Sequence, residues 1–421
     1  MSPRRTGLLC LLCLLGITAP RCDADLGGAI GKCKARMRAR GYECFEEGHV
    51  GIDWSPLEDG PIAAEDADGK DREMNQAARG LWAANGLGEP NEADAMTVLA
   101  DGTVCVRRGG AGLNDSDGAI PRPAPAGGRR LAGHLRHERG TMADSMPEPG
   151  IMRERGVGAG GNGRGVLQLG GGRSFGVEPG LPDTSGGRVR VPIDRSTEEP
   201  LSSVGQLGVG CSATLVGPCH YLTAGHCVWN DARFQRRAGN DFNPGRNGGE
   251  LAQPLGRWQA LQVYPAMRFT LFGNSRNDAA LVQVEGTPGL ELGYMNFSAE
   301  GLPSNVLLNI AGYPGDKPIG EMWFDSCDAS FPDSEQSEFE EFEGLVGHDC
   351  ETAPGNSGSG MWTYSPEDGS RVIAAIHTAR FVGFNFNFFI EAVDEPKGVH
   401  LAGDLLRELQ SVMDDMECVP S

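Results

Sequence analysis

From position 188 to the C-terminus, short apolar runs alternate with turns rich in Gly, Pro and Asn. Each run is four to six residues long, which is the length of a buried strand and too short for a helix. Many short strands separated by turns predict a β-barrel or a β-sandwich. The runs cover positions 213–216, 221–224, 260–264, 279–284, 306–311, 372–377 and 386–390.

The last segment of the chain has a different period. Its apolar residues recur at intervals of three and four, which places them on one face of a helix that ends before Pro420. These residues are Leu405, Leu406, Leu409, Val412, Met413 and Met416. The sequence therefore predicts an all-β unit closed by a C-terminal helix.

Three segments precede this unit. Residues 1–24 have basic residues, then an apolar stretch of about a dozen residues, which predicts a signal peptide cleaved after Ala24. Residues 25–109 are polar and acidic and contain three cysteines, which indicates a small folded prosegment. Residues 110–187 are rich in Gly and Pro, and 13 of the 32 residues in 156–187 are glycine, so we expect a flexible linker.

Charge and composition exclude two classes of function. The formal net charge is −20 at pH 7, whereas nucleic-acid binding requires a basic face. After the signal peptide no segment supplies the roughly 20 apolar residues of a membrane span, so we expect no membrane anchor. In a secreted protein cysteines first form disulfides. Nine cysteines remain after Ala24, an odd number that leaves either one free thiol or a retained Cys22.

The first motif with candidate chemistry is TAGHC at positions 223–227. It follows an apolar run and places His226 beside Cys227, with Cys211 sixteen positions earlier. The alternative is that this group ligates a metal. An oxidising compartment and the absence of the close paired spacing of a structural zinc site disfavour it.

The second motif is GNSG at positions 355–358, where Ser357 lies between glycines. A tight turn here would direct the amides of Gly355 and Ser357 at one point. Acyl transfer by serine needs such donors for the oxyanion, together with an imidazole base and a carboxylate that orients it. A Gly-rich surface turn is the alternative for this motif taken alone.

From position 188 onward the chain resembles the chymotrypsin-like serine endopeptidases. Residues 211–227, CSATLVGPCHYLTAGHC, look like the block that carries that family's catalytic histidine and its flanking disulfide, here Cys211–Cys227. The family order of His, Asp and Ser implies that Asp278 orients His226, since Asp278 precedes the run 279–284. A strand-edge aspartate that satisfies a turn is the alternative for Asp278.

The resemblance also implies the fold and the reaction. We expect two six-stranded antiparallel β-barrels with the catalytic residues at their junction. We expect a secreted monomer that hydrolyses protein or peptide substrates through an acyl-enzyme, without cofactor or metal. A non-catalytic homologue that binds proteins through the same cleft is the alternative. It is disfavoured because all three catalytic residues and both oxyanion positions are present.

Within the family, three blocks are similar to the glutamyl endopeptidases: AGYPGDK at 311–317, TAPGNSGS at 352–359 and IHT at 376–378. In that branch a hydroxyl residue and a histidine contact the P1 carboxylate, and they correspond to Thr352 and His377. Arg380 is a further candidate. A hydroxyl and a protonated imidazole suit this task. The alternative for His377 is a core histidine with its nitrogens satisfied by backbone.

Two features oppose a preference for acidic P1 residues. Positions 318–370 contain thirteen Asp and Glu and no Lys or Arg. Glu351 lies six positions before Ser357, where a carboxylate selects basic residues in trypsin-like relatives. Screening over about 8 Å at physiological salt weakens the charge run, so we expect Glu or Asp at P1, with basic P1 as the alternative.

The resemblance implies how the chain is processed. Asn356 stands where trypsin-type zymogens carry the aspartate that pairs with a new N-terminus, so that switch is not expected. The glutamyl branch instead uses its processed N-terminus near the S1 pocket. We therefore expect a cut after Arg188 or Arg190, with residues 25–188 removed or displaced.

The remaining expectations concern cysteines and the acidic loop. Cys327–Cys350 is the second expected disulfide, and Cys219 with Cys418 is a further candidate. The loop at 325–343 has no known calcium-ligand spacing, so we expect it to be a solvated loop. Residues 25–109, with Cys33, Cys44 and Cys105, are open to an independent binding role.

Overall fold

The computed structural model describes residues 26–45, 82, 94–109, 174–185, 189–230, 233–234, 237–248, 252–331, 345–383 and 393–419. The expected signal peptide, the run 386–390, most of the expected linker and the acidic positions 332–344 lie outside the described residues.

The described chain is built of short strands with a few helices. Strands β1 to β4 are Glu43–Phe45, Ala95–Leu99, Val104–Arg107 and Val191–Pro192. Strands β5 to β12 are Val204–Leu207, Ser212–Leu215, His220–Thr223, Trp229–Asn230, Arg233–Phe234, Phe242–Pro244, Ala260–Pro265 and Ala280–Val284. Strands β13 to β19 are Asn296–Phe297, Asn305–Gly312, Trp323–Ser330, Leu345–His348, Gly360–Tyr364, Arg371–Gly383 and Val393–His400. Helices α1 to α5 are Leu26–Ala39, Gly225–Val228, Met267–Phe272, Pro288–Leu292 and Gly403–Asp415.

The first barrel is formed by strands β11, β12, β7, β6, β5 and β10, each antiparallel to the next. A bridge between Phe242 of β10 and Trp258, just before β11, closes the ring. All five residues of β12 are buried, including Gln283, whose amide donates to the Glu417 carbonyl oxygen at 2.6 Å. A fully buried polar side chain on a strand is stable here because it has such a partner.

The second barrel is formed by strands β18, β17, β14, β15, β16 and β19, and the pairing of β18 with β19 closes it. The short strand β4 pairs with β15, and β13 pairs in parallel with β18. The two six-stranded barrels predicted for this chain are therefore confirmed.

The C-terminal helix α5 packs on the first barrel. Leu405, Leu406, Leu409 and Val412 are buried, as the period of three and four predicts. The Glu408 carboxylate accepts hydrogen bonds from the hydroxyl of Tyr264 at 2.6 Å and from the backbone N–H of Met267 at 2.9 Å.

The segment expected to be a prosegment adds to the first barrel. We call residues 26–45 and 94–109 the N-terminal layer. Its strands β1, β3 and β2 continue the sheet outward from β11, through antiparallel pairing of β2 with β11. A disulfide joins Cys44 to Cys105 within the layer.

Residues 174–185, at the end of the expected linker, are described and pack on the second barrel. We call these residues the strap. Gly176 bridges to Tyr364 of β17, and Glu178 is 2% exposed. The Glu178 carboxylate accepts hydrogen bonds from several donors on the second barrel, and the glycine-rich composition does not predict this contact.

Disulfides also join Cys211 to Cys227, Cys219 to Cys418 and Cys327 to Cys350. Among the described cysteines Cys33 is the free one, and burial raises the pKa of its thiol to about 11. None of the helices in the described ranges has the length and apolar character needed to cross a membrane.

Candidate active site

His226 lies in the helical turn α2, directly after strand β7. The backbone must pass close to its neighbours here. A Cβ on Gly225 would lie 2.7 Å from the Phe269 ring and 2.9 Å from an Asp278 oxygen. The disulfide between Cys211 and Cys227 fixes the residue next to His226.

Asp278 lies two residues before strand β12, at the end of a 3₁₀ turn. Strands β7 and β12 are antiparallel, and Thr223 at the end of β7 is opposite Ala280 at the start of β12. The residues that follow β7 and those that precede β12 therefore meet at the same end of the barrel. This pairing brings His226 and Asp278 together across 52 positions of sequence.

Both carboxylate oxygens of Asp278 accept hydrogen bonds from His226. Oδ1 accepts from the backbone N–H at 2.8 Å, and Oδ2 is 2.7 Å from the imidazole Nδ1. Burial lowers the pKa of His226, but the charge of Asp278 and its hydrogen bond outweigh this, so the pKa is raised above the usual 6.5. The pair holds a proton on Nδ1 and leaves Nε2 as the basic nitrogen.

The loop that carries Ser357 depends on two glycines with left-handed backbones, Gly355 at φ 98° and Gly358 at φ 87°. A Cβ on Gly355 would lie 2.4 Å from the Tyr313 carbonyl oxygen, and one on Gly358 would lie 2.1 Å from the Thr223 hydroxyl. Neither position accepts a side chain without strain. The second glycine thus lets the loop approach the end of β7, where His226 follows.

The backbone N–H groups of this loop divide into two sets. Those of Asn356, Gly358 and Ser359 donate to the carbonyl oxygens of Ala353, His377 and Asn356. Within the described chain, the N–H groups of Gly355 and Ser357 make no hydrogen bond. Two unoccupied donors beside a serine are what an oxyanion site requires.

The Ser357 hydroxyl donates to the Thr378 carbonyl oxygen at 3.2 Å. A nucleophilic role would require this hydroxyl to turn about its Cα–Cβ bond toward His226. Catalytic hydrogen bonds commonly tighten when substrate binds. Ser357 is held from its other side, because its carbonyl oxygen accepts from the Ser212 N–H at 2.8 Å.

The proposed substrate-binding residues Thr352 and His377 are both buried. His377 is fixed beside the serine loop, since its N–H donates to the Ser359 carbonyl oxygen at 2.9 Å. Its Nδ1 lies 3.1 Å from Nε2 of His348, a residue that the sequence analysis missed. His348 is on β16 and His377 on β18, so no local sequence pattern connects them. The alternative for His377 was a core histidine whose ring nitrogens are satisfied by backbone. The structure differs from that alternative, because a side chain contacts one ring nitrogen of His377.

Glu351 is not an isolated charge. Arg190, whose side chain is 4% exposed, places Nη2 at 3.5 Å from Glu351 and forms a bidentate pair with Asp316 at 3.0 and 2.6 Å. The hydrogen bond from Arg190 lowers the pKa of Asp316. Strand β4 positions Arg190 by pairing with β15. Arg380 lies in β18, and its side chain is outside the described residues.

The metal alternative for His226 lacks its ligands. The sulfur atoms of Cys211 and Cys227 are bonded to each other, so neither is available as a thiolate.

Residues 211–367 match the family profile of the trypsin-like peptidase domain. The chain carries a trypsin-like peptidase domain. The resemblance to the chymotrypsin-like serine proteases, close to the glutamyl endopeptidases, is thereby confirmed.

Curated relatives cover part of the chain. An extracellular metalloprotease of Bacillus subtilis is 28% identical over 148 residues, 32% of this chain and 46% of that protein. A glutamyl endopeptidase of Bacillus licheniformis is 25% identical over 138 residues, 32% of this chain and 43% of that protein. Serine protease 23 of Homo sapiens is 26% identical over 202 residues, 42% of this chain and 50% of that protein. The match thus spans half or less of the length of these relatives.

Among solved structures, a Glu endopeptidase in complex with MPD has a TM-score of 0.45 and 21% identity. The match covers 55% of this chain and 99% of the chain in that structure.

Proposed function

We propose that this chain is a secreted serine endopeptidase that hydrolyses peptide bonds through an acyl-enzyme. The observation that carries the proposal is the pairing of His226 with Asp278, together with a serine loop in which the N–H groups of Gly355 and Ser357 make no hydrogen bond within the described chain. Disulfides in the peptidase domain support secretion.

Each group has a defined part in this reaction. Ser357 attacks the scissile carbonyl carbon, and Nε2 of His226 takes the hydroxyl proton. The amides of Gly355 and Ser357 stabilise the negative oxygen that forms. Asp278 keeps the imidazole in the required tautomer and stabilises the imidazolium. The imidazolium then gives its proton to the leaving amine, and water releases the acyl group by the same steps.

We further propose a preference for Glu or Asp at P1. Support comes from Thr352 and from His377, which hydrogen-bonds His348. An imidazole that carries a proton on each nitrogen is a cation and can donate a charge-assisted hydrogen bond to a carboxylate. A charge-assisted hydrogen bond of this kind is stronger than a neutral one.

Glu351 opposes an acidic preference less than its position suggests, because Arg190 lies beside it. The buried guanidinium lies between Asp316 and Glu351, so the carboxylate six positions before the serine is already paired with a cation. A paired carboxylate attracts a basic P1 side chain less than a free one does.

The burial of Arg190 also favours one of the two candidate cleavage points over the other. A protease that cuts after arginine must bind that side chain, and the side chain of Arg190 is buried and ion-paired. Val189, by contrast, is 58% exposed. We therefore propose a cut after Arg188, which would give Val189 as the new N-terminus, one residue from Arg190.

A peptide library tests the proposal. The secreted protein, matured to begin at Val189, is incubated with the library beside a Ser357→Ala variant that has been matured in the same way. We expect cuts after Glu or Asp with the parent and none with the variant. Cuts after Lys or Arg would overturn the acidic preference, and equal cutting by the variant would overturn the serine mechanism.

A further inference from the structure

The N-terminal layer is joined to the first barrel by backbone pairing. Val98 and Leu99 of β2 pair with Val263 and Gln262 of β11, and the N–H of Ala100 donates to the Leu261 carbonyl oxygen at 2.7 Å. All residues of β2 are buried. Without the layer, strand β11 would present an unpaired backbone edge to water.

Polar side chains hold the layer to the end of the chain. Arg36 donates to the carbonyl oxygens of Glu417 and Cys418 at 2.6 and 2.9 Å. Asp415, whose side chain is 7% exposed, forms an ion pair with Arg107 and accepts from the Tyr42 hydroxyl at 3.2 Å. A buried carboxylate needs these donors, because an unpaired buried charge is strongly destabilising.

The layer also shares an apolar core with the barrel. The side chains that fill it from the layer are at most 7% exposed. Among them are Ile30, Met37, Tyr42, Met96, Leu99 and Val106. Departure of the layer would expose these side chains and the barrel surface that they cover.

The strap docks separately, on the second barrel. The Glu178 carboxylate accepts from the Trp362 indole N–H at 3.1 Å and from Arg371 Nε at 2.8 Å, and also contacts Arg371 Nη2. The Glu178 N–H donates to the Asn309 side-chain oxygen at 2.9 Å, and the Asn309 amide donates to the Gly176 carbonyl oxygen at 3.1 Å.

No described disulfide connects these segments to the peptidase domain. The cystine Cys44–Cys105 lies within the layer, the other described disulfides lie after position 210, and Cys33 is a free thiol. After a cut at Arg188, the two parts would therefore be held by non-covalent contacts.

We infer that residues 25–188 stay bound after this cut, so that the processed protein is a non-covalent two-chain molecule. The layer binds the first barrel, and the strap binds the second barrel. Two sites on one fragment bind more tightly than either alone, because the second contact forms at high effective concentration. This differs from the expectation that residues 25–188 are removed or displaced. It does not depend on the proposed peptidase activity.

The test uses the full secreted chain with Ser357→Ala, which prevents any self-cleavage. A recognition sequence for an unrelated site-specific protease is inserted between Gly187 and Arg188. After complete cutting, the protein is passed through a gel-filtration column in native buffer, and each fraction is run on a denaturing gel without reductant.

We expect one native peak of unchanged elution volume that gives two bands on the denaturing gel. Release of the 25–188 fragment into its own native peak would overturn the inference. A single band without reductant that separates into two bands with reductant would overturn its non-covalent part.

A matched pair of variants on α1 tests which surface is responsible. Met37 is 1% exposed and Lys32 is exposed. In the cut protein, we expect Met37→Ala to increase the released fraction at least severalfold on dilution, and Lys32→Ala to leave it unchanged. Equal release from the two variants would overturn the role of the layer in retention.

Discussion

Replacement of Asp278 by Asn tests the proposed catalytic role of its pairing with His226. Both oxygens of Asp278 accept from donors of His226, one from the backbone N–H and one from Nδ1. An asparagine side chain offers one acceptor and one NH₂ group, so in either orientation one donor of His226 faces another donor. If the NH₂ group faces Nδ1, the imidazole proton moves to Nε2, which can then no longer take the proton of Ser357.

The expected loss follows from this wrong tautomer. In a Ser-His-Asp triad such a change lowers the rate by roughly 10⁴-fold. We expect kcat/KM to fall by about 10³- to 10⁴-fold, which is about 4 to 5.5 kcal/mol of transition-state stabilisation. KM should change far less, because Asp278 contacts His226 and not the substrate.

The assay is the initial rate of hydrolysis of a chromogenic peptide that carries Glu at P1, with the folded concentration of each variant set by its circular dichroism. Asp241→Asn is the control. Asp241 also accepts from one backbone N–H, that of Ala260 at 3.0 Å, and from one side chain, Arg257 at 2.9 Å. The control should retain kcat/KM within a fewfold. An Asp278→Asn variant within tenfold of the parent would refute the assignment.

Three further predictions concern specificity, pH and stability. Arg190→Met should lower kcat/KM for Glu at P1 roughly fivefold relative to kcat/KM for Lys at P1. This ratio corresponds to about 1 kcal/mol, the value expected for an ion pair in which the Glu351 side chain is 40% exposed. An unchanged ratio in competing-substrate assays would contradict the prediction. Asp278 raises the pKa of His226 above 6.5, and the neutral imidazole is the base. In a pH–rate profile, kcat/KM should therefore fall as pH decreases, with its acidic midpoint above pH 6.5. A midpoint below pH 6.5 would contradict the pairing. Glu178→Ala should lower the free energy of unfolding by roughly 3 kcal/mol in urea titrations, because Arg371 and the Trp362 indole N–H both lose the buried carboxylate to which they donate. A change under 1 kcal/mol would contradict this role of Glu178.

The barrels and the contact between His226 and Asp278 were predictable because their signals are local. Each short apolar run between turns is a strand wherever it pairs, and the position of Asp278 before such a run is visible in the sequence. The motif around His226 carries its own disulfide, so its setting could be predicted as well.

The contacts that were not predicted join distant parts of the chain. Strand β2 pairs with β11 more than 160 positions later, and the short run 95–99 resembles many others. His348 and His377 lie on β16 and β18, the two strands that pair with β19, so their contact depends on strand order rather than on periodicity. Arg190 was expected as a cleavage point from residue type alone, and its burial against Asp316 comes from the pairing of β4 with β15.

Covalent labelling is the measurement that tests the central claim most directly. The matured protein is treated with a diphenyl phosphonate that carries a Glu-like P1 side chain, and the adduct is located by mass spectrometry of the digested protein. We predict one adduct per chain on Ser357, formed with loss of activity, and none in Ser357→Ala. An adduct at another residue, or full peptidase activity in a chain with Ser357 modified, would contradict it.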